Sequence, residues 1–75
     1  MNTNEKLEIF RKLCGLGLKD IETVFEGSDI KDHLCRKYKN ARENHGFYGN
    51  FAFLFSLDNE NASRLLSRIG FDSPS

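Results

Sequence analysis

Apolar side chains recur at helical spacing along most of the chain, and glycines punctuate the pattern. In TNEKLEIFRKLCGLG, Leu7, Phe10, Leu13 and Cys14 share one arc, which Ile9 and Leu16 widen. This spacing predicts a first helix capped by Thr3 or Asn4. Glu5 and Glu8 sit toward the positive end of its dipole, Arg11 and Lys12 toward the negative end, and Gly15 and Gly17 stop it. An arc that wide calls for more than one packing neighbour. LKDIETVFEG predicts a short second helix, with Leu18, Ile21, Val24 and Phe25 inward and Asp20, Glu22 and Glu26 outward. Gly27 suits the left-handed position that ends helices. A third helix, capped by Ser28 or Asp29, runs to Asn44 with Ile30, Leu34, Tyr38 and Ala41 as its buried stripe.

After the break at ENHGFYG, the stretch NFAFLFSLD fits two periods. Alternation would place Phe51, Phe53, Phe55 and Leu57 on one side of a strand, whereas helical spacing groups Phe47, Phe51, Leu54 and Phe55. Partner counting favours the helix, because no second β-rich run exists to satisfy a lone strand's backbone. LDNENASRLLSRIGF then predicts a last helix capped by Asp58 or Asn59, with Ala62, Leu65, Leu66 and Ile69 inward. Gly70 ends it and Phe71 folds back in a Schellman contact. The expected fold is all-α, a compact bundle of four to five short helices, forming a single domain over residues 1–71 with a flexible tail at 72–75.

Length changes the picture first. A chain of 75 residues buries only about 60% of the surface that its unfolded form exposes. Its seven Phe, two Tyr and fourteen Leu, Ile or Val residues exceed what one small core readily holds, which points to a partner or a second copy. Eleven basic residues balance eleven acidic ones, which removes the global electrostatic case for nucleic acid or anionic lipid. Two cysteines, Cys14 and Cys35, do not make the disulfide framework of a small secreted domain. They read as packed or idle thiols. No signal-peptide stretch opens the chain and no run approaches a membrane span, so a soluble, cytoplasmic protein without membrane partners is expected.

The basic content concentrates in SDIKDHLCRKYKNAR, where Lys31, Arg36, Lys37, Lys39 and Arg42 fall on the third helix. A short helix, a tight turn at EGSD and a longer basic helix follow one another. Residues 19 to 42, KDIETVFEGSDIKDHLCRKYKNAR, resemble the helix-turn-helix of two-component response regulators and sigma-factor-like proteins, through the opening KDI and the apolar, basic and HL pattern of the second helix. The resemblance implies a DNA-binding element at residues 18–44 with those five side chains as its nucleic-acid contacts. The chain departs from that family in its turn, since Ile21 and Ile30 lie about two residues closer than the motif's geometry needs. Asp32 precedes Arg36 by one helical turn and Glu43 follows Lys39 by one, so two of the five bases have acidic neighbours on their own face. The acidic residues on the preceding helix oppose phosphate contact.

Cys14, His33, Cys35 and His45 raise a zinc hypothesis, but His33 and Cys35 stand two apart on a helix and point to nearly opposite sides. No metal or other cofactor is expected. Asp29 and His33, one turn apart, read as a local ion pair rather than a catalytic dyad. GLGLKD lacks the preceding strand that gives a phosphate loop its meaning. A domain of this size also offers little room to enclose a small-molecule substrate. An enzyme is therefore not expected.

Five aromatics crowd residues 47 to 55: Phe47, Tyr48, Phe51, Phe53 and Phe55. One helix cannot turn all five toward one core, so part of the set should form a surface for a protein partner or a second copy. The leading expectation is a small regulatory or inhibitory protein that acts through this aromatic surface. DNA binding by the basic helix is the alternative.

Overall fold

In the computed structural model, which describes residues 2–71, the chain forms helices and turns throughout. Five α-helices follow in order: α1 Thr3–Cys14, α2 Leu18–Val24, α3 Lys31–His45, α4 Gly49–Phe55 and α5 Asn59–Arg68, with a single 3₁₀ turn, Gly46–Tyr48, joining α3 to α4. The all-α bundle expected from periodicity is what the structure shows. The proposed tail at 72–75 lies outside the described residues.

Several helix boundaries have a local cause. Asn2, rather than Thr3 or Asn4, caps α1, its Oδ1 accepting from the Glu5 backbone N–H at 2.9 Å. At α2 the reach runs backward, because Gly17 has no side chain to offer: Asp20 Oδ2 accepts from the Gly17 N–H at 3.0 Å. Gly27, at φ +80°, ends the second helical segment as expected. The third helix starts later than a Ser28 or Asp29 cap would place it. Ser28 Oγ instead accepts from the Ile30 N–H at 3.3 Å, holding one more turn before α3 begins at Lys31. Asp58 caps α5 through the Asn61 N–H at 2.8 Å. Gly70, at φ +83°, then reverses the chain so that the Phe71 N–H reaches Leu66 O and the Gly70 N–H reaches Ser67 O, the paired bonds of a Schellman motif.

The core gathers Ile9, Leu13 and Leu16 from the first segment, Ile21 and Phe25 from the second, Leu34 and Tyr38 from α3, Phe53 and Leu54 from α4, and Leu65 and Phe71 from the last. Tyr38 meets Phe53 edge to face at 5.3 Å. One expected face is turned: α1 buries Ile9 and Leu13, while Leu7 is 52% exposed and Cys14 is exposed. Its closest neighbour is α4 alone, so the wide apolar arc that called for several neighbours is left half uncovered. Around this core the helices are tied by long-range polar contacts. Arg68 Nε meets Asp20 Oδ1 at 3.3 Å, and Arg64 donates to Val24 O at 2.7 Å while its guanidinium lies 4.9 Å over the Phe25 ring. Lys12 Nζ donates to Gly70 O at 2.7 Å, joining the C-terminal ends of α1 and α5.

Candidate functional site

The close approach of α3 and α4 positions the surface of interest. Gly49 opens α4 against α3 so tightly that a Cβ there would stand 2.7 Å from Arg42 Cα. The next residue, Asn50, is 98% buried, with 2% of its surface exposed. Its Nδ2 donates to Leu13 O and to Leu16 O, the latter at 3.2 Å, and its Oδ1 accepts from Arg42 Nη1 at 3.2 Å. One amide thus joins two carbonyls at and just beyond the end of α1, which also accept from the Leu16 N–H and the Tyr38 hydroxyl, and ties α1, α3 and α4 to one another. Asn50 went unremarked in the sequence, although a single polar residue inside the apolar run GFYGNFAFLF is the mark of a buried hydrogen-bonding group.

With α4 fixed in this way, its aromatics divide. Phe53 is fully buried against Tyr38. It is therefore a core residue, and its place among the surface anchors is corrected: it lies about 200° round the helix from Phe51 and Phe55, on the side facing α3. The other four remain at the surface. Phe47, Tyr48 and Phe55 are 64, 63 and 80% exposed, and Phe51 is half-buried. They form a continuous ribbon with the half-buried Phe10 of α1, which shares an apolar arc with Leu7, Leu13 and Cys14 in the sequence. Tyr48 stands edge-on to Phe47 at 5.1 Å, Phe47 meets Phe10 at 5.7 Å, Phe10 stacks on Phe51 at 5.4 Å, and Phe51 reaches Phe55 at 6.3 Å.

The ribbon ends in a groove. The Lys12 side chain of α1 reaches Gly70 just past α5, and an open cleft of about 510 Å³ lies between residues of α1 and α5 over α4. Leu54 and Phe51 of α4 line it, Ile9 stands on one wall, and Ala62 and Leu66 stand on the other. Lys6 carries the sole formal charge among its lining residues. The surface as a whole is apolar, concave at one end and convex at the other.

The basic helix is arranged differently. Lys37 Nζ donates to Ser56 O at 3.2 Å and Arg42 is committed to Asn50, so both brace α3 against the chain around α4. Lys31 is half-buried; Arg36 and Lys39 are exposed and make no ion pair or hydrogen bond to the described residues. The one-turn pairs expected at Asp32 with Arg36, Lys39 with Glu43, and Asp29 with His33 do not close in the structure; the described ion pairs are Lys12 with Glu8 and Arg68 with Asp20. Glu22 and Glu26 on the preceding segment are exposed.

Among the described residues, no three His, Cys, Asp or Glu side chains gather closely enough to hold a metal ion. His33, His45 and Cys14 are exposed and Cys35 is half-buried, with both thiols free. No described helix is long and apolar enough to cross a membrane. No protein-family model matches the chain, and no curated protein or solved structure does either.

Proposed function

We propose that this is a non-catalytic protein-binding module, a regulator or inhibitor that works by covering or being covered along the aromatic ribbon and the groove at its end. The observation that carries this reading is Phe55, a phenylalanine 80% exposed at the groove's rim on a helix whose other face is wholly buried. Leaving that ring in water forgoes about 1.5–3 kcal/mol of burial, a cost that three other large apolar side chains, Leu7, Phe47 and Tyr48, repeat in part. Rigid rings beside an apolar cleft are the usual anchors of a protein interface. The alternative, contact of α3 with DNA, draws on the exposed Arg36 and Lys39. It is weakened by the internal bonds of Lys37 and Arg42 and by the acidic α2, since DNA affinity rests on phosphate neutralisation.

The test is a photo-crosslinking amino acid placed at position 55 or at position 39 and activated inside cells that make the protein. The expected result is an adduct with a polypeptide from position 55 and none from position 39. Adducts from position 39 alone, or nucleic acid recovered from it, would overturn the reading in favour of the α3 surface.

A further inference from the structure

The ribbon has two unlike ends. At one, Phe47 and Tyr48 stand out from the 3₁₀ turn as a convex pair of rings; at the other lies the concave apolar groove between α1 and α5. Phe10 touches the rings on both sides and marks the middle. We propose that the occupant of the groove is a second copy of this chain, in a two-fold dimer whose axis passes near Phe10 and in which each copy's Phe47 and Tyr48 enter the other's groove. The proposal rests on the protein-binding reading above and names its partner.

Three features support a second copy. A two-fold axis exchanges the ends of any strip it crosses, so a knob and a hole at opposite ends of one strip are complementary to themselves. The available area has the right scale. At 150–250 Å² per aromatic side chain, the exposed fractions of Phe47, Tyr48 and Phe55 come to roughly 400 Å², about half of the ~800 Å² per partner that a stable interface needs. The groove walls add to it. Charge does not stand in the way. The formal net charge is zero, so two copies meet without net repulsion, and Lys6 is the single formal charge lining the groove.

The experiment is sedimentation equilibrium on the full chain across the micromolar to millimolar range, with circular dichroism confirming that each variant is folded. The wild-type mass should rise from 8.6 kDa toward twice that value. Phe47→Ser with Tyr48→Ser removes the knob, and Ala62→Arg fills the groove; each variant alone should stay monomeric. Mixed in equal amounts they should dimerise again, more weakly than wild type, because one of the two reciprocal contacts is intact. Phe55→Ser, a change at an exposed position that leaves the core untouched, should raise the dissociation constant about tenfold or more, the loss of an aromatic anchor. A wild type that stays monomeric at every concentration overturns the second copy as occupant, and so does a knob-less variant that dimerises as well as wild type. A mixture that remains monomeric overturns the reciprocal docking. These failures are separable from failure of the protein-binding reading, because an adduct from position 55 with a different polypeptide would sink the dimer and leave that reading standing.

Discussion

At the scale of single residues, two buried polar side chains hold the helices in register. Asn50 makes three hydrogen bonds inside the protein, donating to two carbonyls at and just beyond the end of α1 and accepting from the Arg42 guanidinium. Replacing it with alanine removes these three bonds, although Leu13 O keeps the Leu16 N–H, Leu16 O keeps the Tyr38 hydroxyl and the exposed Arg42 keeps its water, so Asn50→Ala should lower unfolding stability by about 1–3 kcal/mol in urea titration. A loss under about 0.5 kcal/mol, the usual size of a surface change, would contradict its role. Tyr38 is the second such residue: its hydroxyl donates to Leu16 O at 3.0 Å. Burial raises the phenol above its ordinary pKa, with Arg42 pulling it partly back. The folded state therefore favours the protonated ring. Its contribution is fully present below the unfolded pKa near 10.0 and is lost as pH rises through the folded value. Tyr38→Phe should cost about 1 kcal/mol at neutral pH, and the gap to wild type should shrink at alkaline pH when the two are compared by thermal melting.

At the scale of helices, most of the fold was legible and the exceptions have physical causes. Periodicity and glycine punctuation marked the helices, down to the Schellman turn at Phe71, because these signals act within a few residues of where they stand, while the caps expected for the first and third helices were displaced. Which face of α1 would be buried was not legible. Its apolar arc is wider than its single close neighbour covers, and the choice of Ile9 and Leu13 over Leu7 and Cys14 is made by α4, more than thirty positions downstream. Gly49 shows the same dependence on distant contacts. Its φ of −60° is ordinary for a helix, so by local propensity alanine there should gain up to about 1 kcal/mol. The contact at 2.7 Å with Arg42 Cα reverses the sign. Gly49→Ala should destabilise the protein by about 1–3 kcal/mol as α4 is pushed off α3, a difference that chemical denaturation resolves; a stabilised variant would show that the two helices have room to part.

At the scale of the molecule, the candidate site was visible as a surplus and not as a place. Seven phenylalanines and two tyrosines in 75 residues announced more apolar surface than one small core holds. Only the structure divides the crowded segment, sending Phe53 inward and leaving Phe47, Tyr48 and Phe55 outside. Phe10 joins the ribbon from the far end of the chain, a contact that no local pattern encodes. The basic helix followed the opposite course. Its composition drew attention, yet Lys37 and Arg42 prove to be struts within the fold.

The proposed working surface is the aromatic face and not α3. Backbone amide spectra of the isotope-labelled protein test it most directly, recorded first through a dilution series and then with mixed-sequence duplex DNA added at low salt. Shifts on dilution are expected at residues 47–55 and along the groove-lining positions of α1 and α5, with residues 31–42 unmoved by DNA. A face that does not respond to dilution, together with DNA-induced shifts along residues 31–42 that vanish as salt is raised, would contradict it and make α3 the surface that matters.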